Sequence, residues 1–192
     1  MSFKQYLNES KITVYHGDNY GTKKLDPKLM NNGNNQEGIG IYFGDYETAE
    51  KYGKFIVSAE INPKMFMDSR EDIGKYLSEQ QIAKLLMSLP KGVGWERKNK
   101  DDLYSLVTDY GVEVYEPEDL KSHHIHEAAR LMMDEEVRNF QITLAETFGV
   151  ERFVERWNDI FPRRHGTYNP ELGFYSIINT RIKVKPVDKP ID

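Results

Sequence analysis

Three short segments in the first third of the chain have the alternating or continuously apolar pattern of β-strands. They are residues 12–16, 39–43 and 54–61, and the first of them is β-branched and alternating. Residues 47–52 have helical spacing and precede Gly53, a suitable helix stop. Residues 66–68 fit a short edge strand. The pattern therefore predicts a strand, a strand–turn–helix unit and two further strands.

Further along the chain, from residue 71 to about residue 161, apolar positions recur at helical spacing. The predicted helices cover residues 72–89, as one helix or two, and residues 101–110, 117–141 and 151–160. The strand pattern then returns and predicts a terminal hairpin of residues 171–178 and 181–187, with its turn at Asn179-Thr180. We therefore expect an α+β fold whose strands at both ends frame a helical insertion of residues 70–165.

Composition limits the possible partners. The chain has 192 residues, which predicts a single domain over residues 11–192. Its net charge of -5 gives no general attraction to nucleic acid or to an anionic membrane. It has no cysteine, which excludes disulfides, thiolate metal sites and a cysteine nucleophile, and fits a reducing compartment. No apolar run approaches the roughly 20 residues of a membrane helix, so we expect no membrane partner.

Four motifs carry candidate chemistry, although each alone has an ordinary structural explanation. They are Tyr15-His16-Gly17, the run Gly40-Ile41-Tyr42-Phe43-Gly44-Asp45, the pair Thr48-Ala49 with Tyr52, and Tyr168-Asn169-Pro170-Glu171. In this order they resemble the His–Tyr–Glu class of ADP-ribosyltransferases, which includes the diphtheria-toxin-like and poly(ADP-ribose)-polymerase-like domains. The likeness is closest to such domains in phage polyvalent proteins and bacterial toxins. It covers residues 12–61 and 166–187, and residues 70–165 show none.

This resemblance implies two small mixed β-sheets around a split cleft for NAD. Gly17 would pair with the nicotinamide carboxamide through its backbone, and Tyr42 would stack on the nicotinamide ring. His16 would bind the adenosine ribose, and Glu171 would stabilise the oxocarbenium ion that forms when the glycosidic bond breaks. The resemblance also implies that the Thr48 hydroxyl would bind the carboxamide oxygen. Tyr52 would stack on the nicotinamide ring together with Tyr42. Tyr52 lies one place later than in the polymerase pattern.

The implied activity is mono-ADP-ribosyl transfer from NAD to an acceptor. A host protein is the foremost acceptor, and nucleic acid, a small molecule or water are left open. The alternatives are an NAD glycohydrolase and a catalytically silent binding or virion protein with the same fold. Oligomeric state is left open.

Residues 1–10 lack the apolar stretch of a secretory signal. They place Phe3, Tyr6 and Leu7 on one helical face, and Leu7-Asn8-Glu9 resembles the cleavage site of a phage capsid-targeting peptide. The resemblance implies cleavage of this peptide, packaging in a phage head and delivery to the host cytoplasm. A frayed N-terminal helix is the alternative.

Two further clusters invite a functional interpretation. His123 and Glu127 are four residues apart, which suits one face of a helix and a metal ion, but a solvated patch explains them better. We predict no metal site. Arg163-Arg164-His165 could contact NAD phosphates or an anionic acceptor, or could simply be cations that favour a helix C-terminus.

Overall fold

A computed structural model of the protein describes residues 11–30, 37–90 and 97–188. The chain is a mixed α/β structure with two β-sheets. Its strands are β1 (Ile12–Asp18), β2 (Ile41–Phe43), β3 (Phe55–Ile61), β4 (Phe66–Asp68), β5 (Gly166–Asn169), β6 (Phe174–Ile177) and β7 (Val184–Pro186). Its α-helices are α1 (Tyr46–Tyr52), α2 (Glu79–Ser88), α3 (Arg97–Asp109), α4 (Ser122–Met132), α5 (Val137–Phe148) and α6 (Val150–Ile160). Short 3₁₀ turns occur at Pro27–Leu29, Pro63–Met65, Ile73–Lys75 and Pro117–Asp119.

Within the described residues, one backbone bridge joins the two sheets. One sheet has the order β1-β3-β7 and is antiparallel; the other has the order β2-β6-β5-β4, with β4 and β5 parallel. Tyr15 of β1 and Gly44, just after β2, exchange backbone hydrogen bonds of 2.9 and 2.8 Å. The ladder goes no further. β1 and β2 therefore meet once and then continue in different sheets.

The helices pack into a core shared with both sheets. Trp157 of α6 and Phe140 of α5 are almost fully buried, as is Phe43 of β2. The indole N–H of Trp157 donates to the carbonyl of Arg164 at 2.9 Å, so its one polar group has a partner. α2 begins with a capping box in which Ser78 and Gln81 satisfy each other's backbone N–H groups. α2 packs on α4, and α5 packs on α6.

The predicted strands β1 to β4 and the helix after Gly44 are confirmed. The terminal hairpin is wrong, because β6 pairs with β2 and β5 whereas β7 pairs with β3 in the other sheet. The actual hairpin is β5–β6, and β5 precedes the residues predicted to form the hairpin. Both sheets were expected to be mixed, but only the one containing β4 and β5 is.

Two predicted helices are also divided. Residues 117–141 contain a 3₁₀ turn, α4 and the start of α5, with a break that includes Glu135 and Glu136. At this break the backbone N–H of Ile73 donates to the Glu135 carbonyl at 2.7 Å, and that of Val137 donates to the Glu71 carbonyl at 2.9 Å. Residues 72–89, predicted as one helix or two, form a 3₁₀ turn and then α2. Backbone pairing between distant segments interrupts a continuous helical pattern in this region.

Within the described residues no helix is long and apolar enough to cross a membrane. Residues 1–10, with the proposed targeting peptide, lie outside the described part of the chain.

Candidate functional site

Beyond the Tyr15–Gly44 bridge, the side chain of His16 connects β1 and β2. Its Nδ1 lies 2.8 Å from the carbonyl oxygen of Tyr42. A carbonyl can only accept, so Nδ1 carries the proton and Nε2 of the neutral ring is a hydrogen-bond acceptor. Nε2 is 3.6 Å from the Asp18 carboxylate, a distance that suits an ion pair only when the ring is protonated. The neutral ring therefore has an acceptor for a ligand hydroxyl.

The backbone N–H and C=O of Gly17 face the gap between β1 and β2, and among the described residues no backbone group pairs with them there. Ile56, its partner on β3, accepts from the backbone N–H of Val187 at 2.9 Å and so turns its carbonyl towards β7. The backbone groups of successive residues in a strand point to opposite sides, so the N–H and C=O of Gly17 point the same way as those of Tyr15, two residues earlier. In the register of the Tyr15–Gly44 bridge, Gly17 faces Tyr42.

No side chain fits at Gly17. A Cβ atom there would lie 1.8 Å from the carbonyl oxygen of Ala49 in α1. Glycine is therefore required for the close packing of β1 against this helix.

Asp18 fixes the turn that follows Gly17. Its carboxylate accepts backbone N–H bonds from Tyr20 at 2.8 Å and Gly21 at 2.6 Å, and also binds the backbone and hydroxyl of Thr22. Burial raises the pKa of this carboxyl, but the hydrogen bonds from Thr22, Tyr20 and Gly21 outweigh it and leave the pKa below its ordinary value. The turn that follows Gly17 is therefore stabilised by the charged carboxylate of Asp18.

Tyr42 is half-buried and its ring lies on Phe174, the first residue of β6. The ring centroids are 5.0 Å apart and the planes are inclined at 33°. The hydroxyl is 3.4 Å from the Gly38 carbonyl, and burial raises the pKa of that hydroxyl. Phe174 therefore orients the Tyr42 ring from one side.

Thr48 and Tyr52 lie on α1 but play different parts there. Asp45 caps the helix by accepting the Thr48 backbone N–H at 2.7 Å, and the hydrogen bond from the Thr48 hydroxyl lowers the pKa of Asp45. The hydroxyl of Thr48 is thus engaged at the helix start. Tyr52 is 72% exposed and, among the described residues, has no ring contact with Tyr42.

Glu171 lies in the turn between β5 and β6, so the prediction that it opens a strand is wrong. Asn169 determines this turn, because its side-chain oxygen accepts the backbone N–H groups of Glu171 at 2.9 Å and Leu172 at 3.0 Å. The strand begins only at Phe174, next to Tyr42. The side chain of Glu171 is 66% exposed and forms an ion pair with Arg70.

A buried carboxylate that the sequence pattern did not reveal lies beside Tyr42. Glu37 is only 7% exposed. Burial is the main cause of the raised pKa of the Tyr42 hydroxyl. The negative charge of Glu37 raises that pKa further, whereas a backbone hydrogen bond with Glu37 lowers it. The Ser69 hydroxyl donates to the Glu37 carboxylate at 3.1 Å, and Arg70 and Arg138 approach it at 3.6 and 3.5 Å. A polar loop residue gives no local signal for such burial. Its position directly before Gly38 is the only hint.

The two other candidate clusters have structural partners. The ring of His123 lies 3.9 Å from that of His124, which accepts the backbone N–H of Lys121 at 3.1 Å, and the neighbouring His126 contacts the carboxylate of Glu79 at 3.0 Å. No group of three potential metal ligands occurs in the ranges that the structure covers. Arg164 lies over the ring of Tyr76 at 5.5 Å and donates to its carbonyl.

The structure thus brings His16, Gly17 and Tyr42 together at the junction of the two sheets. Glu171 is connected to them through Arg70 and Glu37. Comparison with protein-family models, curated proteins and solved structures found no match to this chain. Its chemistry therefore has to follow from its own side chains.

Proposed function

We propose that the protein binds NAD at the junction of its two sheets and transfers ADP-ribose to a host macromolecule. The observation that carries the proposal is the hydrogen bond from His16 to the Tyr42 carbonyl. It holds the backbone of Tyr42 opposite Gly17, and we place nicotinamide between the backbone edge of Gly17 and the Tyr42 ring.

This gap suits nicotinamide for two reasons. The carboxamide has an NH2 group, which can donate to the C=O of Gly17, and a carbonyl oxygen, which can accept from its N–H. The nicotinamide ring of NAD is flat and cationic, so the face of Tyr42 would stabilise it by roughly 0.5–2 kcal/mol. Nε2 of His16 then accepts a hydrogen bond from a ribose hydroxyl.

The reaction we propose is dissociative. The bond between C1″ of the ribose and the pyridinium nitrogen breaks, and neutral nicotinamide leaves with the electron pair. A carboxylate at the 2″-hydroxyl stabilises the positive charge that develops on the ribose, which is the role we assign to Glu171. The acceptor then adds to C1″ and gives its proton to solvent.

The acceptor we favour is a host protein, reached after delivery from a phage head. The resemblance of residues 1–10 to a capsid-targeting peptide supports this route. Such a protein would act in the host cytoplasm.

Two rival functions each have an observation in their favour. Glu171 is well exposed to solvent, which favours water as the acceptor and hence an NAD glycohydrolase. Phe174 occupies the start of β6 beside Tyr42, and Arg70 offsets the charge of Glu171, which together favour a catalytically silent binding module.

Incubation of the purified protein with NAD labelled in its adenylate, with and without host lysate, separates the three functions. Label on a macromolecule supports the transferase. Free ADP-ribose alone supports the glycohydrolase, and intact NAD in both samples supports the binding module. Variant Glu146→Gln, which changes an exposed glutamate on α5, is the matched control and should behave as the wild type.

A further inference from the structure

Arg70 lies between two carboxylates that are far apart in sequence. Its NH1 forms an ion pair with Glu171, and its NH2 is 3.6 Å from Oε1 of Glu37. Glu37 has a side chain only 9% exposed, whereas that of Glu171 is 66% exposed. The guanidinium thus connects a fixed buried carboxylate to an exposed one.

The buried side of this connection is rigid. A buried carboxylate requires several partners, and Glu37 has the Ser69 hydroxyl and the guanidinium of Arg138 besides Arg70. Its own carbonyl accepts the hydroxyl of Thr167 at 3.0 Å. Glu37 is therefore held at both its backbone and its side chain.

At the exposed end of this connection, Arg70 alone holds the Glu171 side chain among the described residues. Within the described residues the carboxylate of Glu171 contacts only Arg70, while Asn169 holds its backbone. An exposed glutamate populates several rotamers, and fixing one of them costs conformational entropy. The rigid, planar guanidinium contacts Glu171 through NH1 and Glu37 through NH2, so the fixed Glu37 orients the group that holds Glu171, which the single ammonium of a lysine would do less well.

We infer that Arg70 is a positioning residue, which orients the Glu171 carboxylate for the ribose of NAD and is itself held by Glu37. This inference rests on the proposed function. A cation beside Glu171 also weakens its field at the ribose, but water screens that effect at an exposed pair. The benefit is therefore one of orientation, for which misplacement by about 1 Å costs up to about 100-fold in rate.

The test is a double-mutant cycle on nicotinamide release with Arg70→Gln, Glu171→Gln and the double variant. Arg70→Gln should lower kcat about 10- to 100-fold while KM changes less than about three-fold. Arg70→Lys keeps the charge but loses the planar guanidinium, so its kcat should lie between that of the wild type and that of Arg70→Gln. The double variant should be no slower than Glu171→Gln alone, because Arg70 acts only through Glu171.

Arg181→Gln is the matched control, since Arg181 also forms an exposed ion pair, at 3.6 Å to Asp159. Thermal unfolding of every variant separates loss of rate from loss of fold, and Arg70→Lys keeps the test open if Arg70→Gln does not fold. Wild-type kcat in Arg70→Gln, or effects that multiply in the double variant, would overturn the positioning role and leave the transferase intact. A wild-type protein that consumes no NAD would overturn both.

Discussion

Nδ1 of His16 donates a 2.8 Å hydrogen bond to the carbonyl of Tyr42, and so joins two strands that belong to different sheets. The ring also lies 5.4 Å from that of Phe43. His16 therefore has a structural role through one nitrogen and, in the proposed function, a ligand role through the other.

Substitution of His16 should separate these roles. His16→Asn keeps a donor near the position of Nδ1, so it should retain more stability than His16→Ala, which should lose about 1–2 kcal/mol. Both lack Nε2, so both should bind NAD more weakly than the wild type. Urea unfolding and NAD titration are the measurements. Equal stability of the two variants would show that the bond to Tyr42 contributes nothing.

Gly17→Ala should strongly destabilise the protein. Its Cβ would meet the Ala49 carbonyl at 1.8 Å, and relief requires a shift of β1 or α1, which costs about 3 kcal/mol or more. Gly44→Ala is the matched control, because the nearest atom to its Cβ is 3.8 Å away. The free energies of unfolding should differ clearly, and similar values would exclude the close packing described at Gly17.

Asp18 should make stability depend on pH in the acid range. The folded-state pKa lies below the ordinary value of 3.8, so the native state favours the carboxylate. The resulting stability is present above about pH 4 and is lost as the pH falls through the lower, folded-state pKa. Unfolding measured at several pH values below 5 should show a steeper decline for the wild type than for Asp18→Asn. Parallel curves would contradict the carboxylate's role in the turn.

Tyr42→Ala should weaken NAD binding. Loss of the cation–π contact of about 0.5–2 kcal/mol corresponds to a rise in Kd of about 2- to 30-fold. Tyr42→Phe keeps the ring and loses only a 3.4 Å hydrogen bond to Gly38, so its Kd should stay close to that of the wild type. Tyr52→Ala tests the other predicted ring, and we expect a smaller effect because Tyr52 is 72% exposed.

The local part of the fold followed from the sequence. Alternation and glycine spacing were enough to predict β1, β2, α1 and β3, and these elements carry His16, Gly17 and Tyr42. The nearness of these three residues came only from the family resemblance, because periodicity does not state which strands are neighbours.

Pairing between distant strands could not be predicted in the same way. Two apolar segments separated by Asn179-Thr180 have the pattern of a hairpin, yet β6 and β7 join different sheets. The chain instead turns at residues 170–173, where Gly173 has a φ of 71° and Asn169 binds the turn. For the same reason Glu171 lies in a turn. The Glu37–Arg70 contact joins two loops and leaves no periodic signal at all.

Nicotinamide release from NAD by Glu171→Gln, compared with the wild type and Glu146→Gln, tests the proposed reaction most directly. Glutamine keeps the size of the side chain and removes its charge. We expect all three proteins to bind NAD with similar Kd and only Glu171→Gln to release nicotinamide at least about 100-fold more slowly. Release by Glu171→Gln at the wild-type rate would contradict the assignment of Glu171 as the carboxylate that stabilises the transition state.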